Sequence, residues 1–186
     1  MKVMLVGGLN DFTQEIVNRF SADYYSRSNG YNIDDDDIRN TLAVKSLDYN
    51  VLILHTYTIH NSQTLLLQDV LRQWMDNDHD GQIIVTGSSS SHFVSYKPNP
   101  AHWVYTSQKS SLDMLCKMVS KKCTEGKYKF KISVIKPGML DSEKSRNKSY
   151  FIKGVNNKVF TDTLEYIINL PKDIHIPEIV LETTYV

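Results

Sequence analysis

Short apolar runs alternate with amphipathic stretches along the whole chain, and this alternation limits the fold more than any other feature of the sequence. Apolar runs of about four to eight residues are typical of strands buried on both faces of a parallel sheet. Strands are predicted at Lys2–Val6, Ala22–Ser26, Val51–His55, Ile83–Thr86, Lys131–Ile135 and Ile176–Leu181, with a very short further candidate at Tyr31–Ile33. Such strands with helices between them predict an α/β fold, a doubly wound parallel sheet with helices on both faces.

Apolar residues at a period of about 3.6 predict the helices that connect these strands. The helices are expected at Asp11–Phe20, Asn61–Met75, Tyr105 to about Lys122, and Asp162–Asn169. Asp34 is expected to cap a further helix that runs to about Leu47, because the acidic run that follows it suits a helix N-terminus; a solvated loop is the alternative. Since no repeat, low-complexity block or linker divides the sequence, residues 1–186 are predicted to form one domain.

The charge balance argues against two classes of partner. The chain has 21 basic and 21 acidic residues, and a formal charge of zero gives no reason to expect binding to nucleic acid or to an anionic membrane. Its apolar runs are too short for a membrane-spanning helix.

Cys116 and Cys123 lie too far apart on a predicted helix for a disulfide, so reduced thiols in a cytoplasmic protein are expected. The histidines are scattered and form no zinc-binding motif.

A serine-rich strand end and a tyrosine–lysine pair are the candidates for chemistry. TGSSSS occupies Thr86–Ser91, and YTSQK places Tyr105 and Lys109 one helical turn apart, on the same face of a predicted helix. A lysine ammonium near a phenol favours the phenolate and lowers the tyrosine pKa from about 10, which suits proton transfer. The Y-x-x-x-K pattern alone is weak, and an exposed tyrosine–lysine pair is the alternative.

Together with three further motifs in the same order, these residues resemble the short-chain dehydrogenase/reductase family. The other motifs are a glycine turn after the first strand, an asparagine that opens the helix before the serine strand, and a V-x-x-P-G strand end at Val134–Gly138. The resemblance extends from Lys2 to about Glu182. It implies a Rossmann fold and an NAD(P)-dependent oxidoreductase that transfers hydride between NADP(H) and a small carbonyl or alcohol substrate.

The resemblance also implies roles for individual residues. Tyr105 would protonate the carbonyl oxygen, Lys109 would lower the tyrosine pKa and hold the nicotinamide ribose, and Ser88 would position the carbonyl, with Ser89 a close second. Asn61 would keep a water molecule in the proton relay; a simple helix cap is its alternative role. Cofactor contacts would come from Gly8, Asn10, Asp11, Phe12, Arg27, Ile33, His55, Thr56, Tyr105, Lys109, Pro137, Gly138, Leu140 and Ser142. A homodimer or homotetramer is further implied. No metal site is expected, because the histidines form no metal-binding motif.

The phosphate-binding turn departs from the family pattern, and the chain is shorter than a usual member. The family has T-G-x-x-x-G-x-G where this chain has GGLNDFTQ, so Gly8 matches while Phe12 and Gln14 replace two glycines. A benzyl group there, with Asp11 beside it, is expected to weaken pyrophosphate binding. Arg27 near the end of the second strand favours NADP over NAD. The alternative function is a catalytically weak or inactive relative that binds a nucleotide or a protein.

Overall fold

Six parallel strands form one sheet in the computed structural model, which describes residues 1–92, 100–149 and 151–184. The strands are β1 (Val3–Val6), β2 (Asp23–Tyr25), β3 (Val51–Leu54), β4 (Gln82–Thr86), β5 (Lys131–Pro137) and β6 (Glu178–Leu181). Their order in the sheet is β2-β1-β3-β4-β5-β6. The predicted doubly wound α/β fold is confirmed.

Helices cover both faces of this sheet. They are α1 (Asp11–Phe20), α2 (Asp36–Lys45), α3 (Ser62–Asp76), α4 (Pro100–Thr124), α5 (Glu143–Arg146) and α6 (Asn157–Ile168). Alternate side chains of β1 enter opposite cores: Met4 packs with residues of α2, α3 and α4, whereas Leu5 packs with residues of α1 and α6. This alternation follows from the two-residue period of a strand, and burial on both faces explains why the strands read as continuous apolar runs.

Several predicted boundaries are wrong for identifiable reasons. Tyr31–Ile33 forms no strand, and Asp35 rather than Asp34 caps α2 by accepting hydrogen bonds from the backbone of Asp37 and Ile38. Helix α4 spans Pro100–Thr124 in the described residues and so includes five residues before Tyr105. The last strand begins after Pro177, which has no N–H to donate to the sheet.

The chain reverses its direction of winding between β1 and β3. From β1 it crosses to β2 on one side, whereas β3 pairs with the other side of β1. Ligands of doubly wound sheets bind at such a switch point, beyond the carboxyl ends of the strands. Among the described residues, no helix is both long enough and apolar enough to cross a bilayer. Cys116 and Cys123 are free thiols.

Candidate active site

A cleft of about 460 Å³ opens at this switch point, beyond the carboxyl ends of β1, β2 and β3. Four of the residues expected to contact a cofactor line it, namely Gly8, Arg27, Ile33 and Thr56. Gly8 faces open space, whereas a Cβ atom on Gly7 would lie 2.3 Å from the carbonyl oxygen of His55. Glycine at position 7 therefore allows β1 and β3 to approach closely, and Gly8 leaves backbone accessible beside the cleft.

Helix α1 begins next to the cleft, but its first N–H groups are already bonded within the chain. The Asn10 side chain accepts hydrogen bonds from the backbone N–H groups of Phe12 and Thr13, at 2.9 and 3.0 Å. Thr13 completes a capping box by accepting a bond from the backbone of Asn10 at 2.9 Å. These N–H groups are the donors that a helix N-terminus offers to a phosphate.

The Phe12 side chain lies in the protein core, so the expectation that its benzyl group faces a pyrophosphate is wrong. It is 1% exposed, stacks on the His55 ring at a centroid distance of 5.5 Å, and contacts Phe160 at 5.2 Å. Gln14 bonds to Asn18 along the exposed side of the helix. The side chains that replace the two family glycines therefore point away from the cleft, and Asn10, rather than Phe12, limits access to the helix end.

Asp11 connects the start of α1 to the segment after β5. Its carboxylate accepts a hydrogen bond from the backbone of Glu143 at 3.1 Å, at the start of α5. Ser142 caps the same short helix by accepting a bond from Ser145. Pro137 ends β5 and Gly138 follows it, and Leu140 packs against the core on the α1 and α6 side. The predicted cofactor contacts outside the cleft lining are this segment together with Asn10, Asp11, Phe12, His55, Tyr105 and Lys109.

Tyr105 and Lys109 lie beyond the cleft on one face of α4. The Lys109 Nζ atom is 5.9 Å from the centroids of both the Tyr105 and Tyr57 rings, and these two rings meet edge to face at 4.9 Å. Tyr57 also lines the cleft, so it joins the two parts of the site. Lys109 is 4% exposed, which contradicts the alternative of an exposed tyrosine–lysine pair.

The acid–base properties of the pair differ from the sequence-based expectation. Burial raises the pKa of Tyr105 above 10, against an opposing hydrogen bond with Ser88. Burial lowers the pKa of Lys109 to about 7. The expected lowering of the tyrosine pKa by lysine is therefore wrong, because burial dominates at Tyr105 and also lowers the pKa of Lys109 itself. The phenol is neutral and able to donate a proton at neutral pH.

Ser88 follows β4, and its side chain lies close enough to the Tyr105 phenol to lower the tyrosine pKa. Ser88 also caps the short turn Ser89–Ser91, whereas Ser89 accepts a backbone bond from His92. Three of the four predicted catalytic residues, Ser88, Tyr105 and Lys109, thus meet at the carboxyl end of β4.

The helix α3 residue that contacts Lys109 is Gln63, which no sequence motif indicates. Its Oε1 atom accepts a hydrogen bond from Lys109 at 2.7 Å, while its Nε2 atom donates to the carbonyl oxygens of Leu54 and Thr86. Asn61 adopts a left-handed conformation with φ 59° before the helix starts, and its side chain accepts a bond from Thr64 instead of capping the backbone. Motif matching by residue type favoured the asparagine, two positions away.

His55 directly follows β3, and its ring contacts both Thr86 and Phe12. Its Nδ1 atom is 3.0 Å from the Thr86 hydroxyl, and burial lowers its pKa to about 4. The imidazole is therefore neutral at pH 7 and acts as a packing and hydrogen-bonding group between the strand ends and the Phe12 ring.

A charged cluster surrounds Lys136 of β5 and includes Asp113, one helical turn after Lys109 on α4. The fully buried Lys136 of β5 forms ion pairs with Asp113 at 2.6 Å and with Glu178 at 2.8 Å, and its Nζ atom is 2.8 Å from the Nε2 atom of His92. The ligand atoms of His92, Asp113 and Glu178 lie close enough together to hold a cation. The Lys136 ammonium already serves as that cation and ties β5 to β6, α4 and the turn after β4.

No family model matches the sequence, and no curated protein matches it. Solved structures do match over nearly the whole chain. A short-chain dehydrogenase/reductase from Serratia marcescens superposes with a TM-score of 0.73 at 15% identity, over 98% of this chain and 96% of that one. A 3-alpha-hydroxysteroid dehydrogenase from a Pseudomonas species, complexed with NADH, gives 0.74 at 10% identity, over 98% and 94%. BdcA in complex with NADPH gives 0.75 at 11% identity, over 97% and 92%. The chain therefore has the Rossmann-like fold of short-chain dehydrogenases/reductases.

Proposed function

We propose that this chain is an NADP-dependent oxidoreductase that transfers hydride between NADP(H) and a small carbonyl or alcohol substrate. The observation that carries the proposal is the meeting of Ser88, Tyr105 and Lys109 at the carboxyl end of β4, beside a cleft at the switch point of the sheet. The structures with similar folds that hold NADPH or NADH support the same class of reaction.

A nicotinamide dinucleotide fits the residues at this edge of the sheet. The cleft volume of about 460 Å³ lies within the usual range of ligand pockets, and the exposed backbone at Gly8 borders it. Gly8, Arg27, Ile33 and Thr56 would hold the adenosine half, and the Arg27 guanidinium suits a 2′-phosphate. The segment from Pro137 to Ser142 would lie along the nicotinamide. When bound, the cofactor supplies the hydride.

The side chains of this chain supply the proton and the orientation. Tyr105 donates its phenolic proton to the carbonyl oxygen of the substrate, and the Ser88 hydroxyl holds that oxygen. Because burial keeps the phenol neutral at pH 7, Tyr105 is able to supply the proton that carbonyl reduction requires. Lys109 donates hydrogen bonds to Gln63 and to the Thr86 carbonyl, which fix its ammonium beneath the two tyrosine rings.

Substitution of Tyr105 by phenylalanine tests the proposal. Turnover of a substrate found in a carbonyl panel should fall by about a hundredfold to ten-thousandfold, because the proton donor is lost while the ring still packs. The dissociation constant for NADPH, measured by fluorescence enhancement, should change by less than about twofold. Tyr166→Phe, at an exposed position on α6, is the matched control and should leave both unchanged. Normal turnover by Tyr105→Phe would exclude the mechanism.

A second candidate function is a catalytically weak or inactive module that binds a nucleotide or a protein. The observation that favours it is the capped start of α1, where Asn10 occupies donors that a pyrophosphate needs. NADPH binding without turnover across the carbonyl panel would support this candidate. A cytoplasmic location, supported by the two free thiols, and a homo-oligomeric assembly are further parts of the proposal.

A further inference from the structure

Arg27, the residue suited to a 2′-phosphate, is already paired with a carboxylate in the cleft. Its guanidinium donates to the Oδ2 atom of Asp34 at 2.6 Å and to the Oδ1 atom of Asn32 at 3.1 Å, and all three residues line the cleft. The Arg27 side chain is 68% exposed, whereas that of Asp34 is only 22% exposed. The arginine is thus the adaptable member of the pair, and the carboxylate is the fixed one.

Helix α3 holds Asp34 from the opposite side. The hydroxyl of Ser62, which is 1% exposed, donates to the Oδ1 atom of Asp34 at 2.6 Å. Together with the Thr58 side chain and the charge of Arg27, this bond holds the pKa of Asp34 below its usual range. Asp34 therefore remains an anion. One carboxylate oxygen accepts a hydrogen bond from Ser62 and the other accepts one from Arg27, so the carboxylate lies next to any ligand that binds the arginine.

We propose that Asp34 is a specificity-determining residue, whose carboxylate competes with a ribose 2′-phosphate for the Arg27 guanidinium. The inference rests on the proposed function and concerns the choice between phosphorylated and unphosphorylated nucleotides. A 2′-phosphate has to displace or share the guanidinium and meets a fixed negative charge, whereas ribose hydroxyls can donate hydrogen bonds to the same carboxylate. Arg27 and Asp34 together make the cleft less selective for NADPH than the arginine alone would.

Titration of NADPH and NADH against the wild-type chain and Asp34→Asn tests this inference. The asparagine retains an oxygen that can accept the Ser62 bond but removes the charge. NADPH binding should tighten by about tenfold, the worth of one freed charge-assisted hydrogen bond, while NADH binding stays equal or weakens. Asp37→Asn is the matched control: it removes the same charge three residues away, on the exposed first turn of α2, and should alter neither affinity.

A double-mutant cycle shows whether Asp34 acts through Arg27. In the Arg27→Ala background, Asp34→Asn should tighten NADPH binding much less, because only the direct repulsion between carboxylate and phosphate is then relieved. An unchanged ratio of NADPH to NADH affinity in Asp34→Asn, or equal tightening with and without Arg27, would overturn the inference. Circular dichroism monitors the fold, and Asp34→Ala removes the carboxylate by a second route.

Titration with adenosine 2′-phosphate separates this inference from the proposed function. If the wild-type chain binds neither dinucleotide, the proposed function fails, and tighter binding of adenosine 2′-phosphate by Asp34→Asn still supports the role of Asp34. Failure of Asp34→Asn to bind the fragment more tightly than the wild type, including absence of binding to both, would overturn the inference.

Discussion

Gln63 has the contacts that differ most from those that the sequence motifs predict for the site. Its amide group bonds to the ends of two strands, β3 and β4, and to the ammonium of Lys109. Because Gln63 is neutral, it satisfies the hydrogen-bonding need of Lys109 without supplying a counter-charge. This explains how a lysine that is 4% exposed is fixed in place while burial lowers its pKa to about 7.

Two substitutions of Gln63 should shift the pH dependence of turnover in opposite directions. Gln63→Leu removes the acceptor, so the Lys109 pKa should fall, and loss of a bond to a charged group should lower turnover by about tenfold or more. Gln63→Glu places a carboxylate next to the ammonium and should raise the pKa. The measurement is turnover against pH for both variants. If both lower turnover without moving the pH profile, Gln63 has only a structural role.

The identity of a site residue could be predicted where a sequence motif specifies it, but not where a tertiary contact determines it. The spacing of Tyr105 and Lys109 predicted a shared helix face, and the structure shows that face turned toward Ser88. The contact of Gln63 with Lys109 joins segments 46 residues apart, and no local pattern indicates it. The same holds for Phe12: the motif placed it at the phosphate turn, whereas its contact with Phe160 places its ring in the core.

At the scale of elements, the start of α1 combines a structural cap with a candidate phosphate site. Asn10→Gly should free the backbone N–H groups of Phe12 and Thr13 and tighten NADPH binding by up to about tenfold. Stability should fall by less than about 1 kcal/mol, since glycine is itself an acceptable cap. Calorimetric titration and urea unfolding measure the two effects.

A second helix cap provides the control for that variant. Asn156 accepts a hydrogen bond from the backbone of Val159 at 2.9 Å at the start of α6. Asn156→Gly should cost similar stability and leave NADPH binding unchanged. Weaker NADPH binding by Asn10→Gly would instead mean that the asparagine side chain itself contacts the cofactor, as the family resemblance implies.

Strands buried on both faces were predictable because their apolar runs are continuous, and α1 was predicted with its observed bounds. The errors lie at ends set by single residues. Asn156 caps α6, which begins at Asn157 and therefore before the predicted start at Asp162. Such starts depend on one backbone conformation, which hydrophobic periodicity does not report.

At the scale of the whole molecule, the carboxyl edge of the sheet buries basic groups that bind a proton more readily in water. Burial lowers the pKa of Lys109 to about 7 and that of His55 to about 4. In both cases the unfolded chain binds a proton that the folded chain releases, over the interval between the two pKa values. Stability must therefore rise with pH through both intervals, from about 4 to 6.5 for the histidine and from about 7 upward for the lysine.

The free energy of unfolding should accordingly increase between pH 7 and pH 8.5, by about 1.5 kcal/mol from Lys109 alone. Above about pH 8.5 the thiols oppose it. Burial raises the pKa of Cys116 to about 12 and that of Cys123 to about 11, so the unfolded chain loses protons that the folded chain keeps. Urea unfolding over this range, in reducing buffer of constant ionic strength, measures the slope. Lys109→Met should flatten it, whereas Lys117→Met, at a half-exposed position with a raised pKa, should preserve it. A flat wild-type profile would mean that folding leaves Lys109 fully protonated, and that Gln63 and the Thr86 carbonyl compensate its burial.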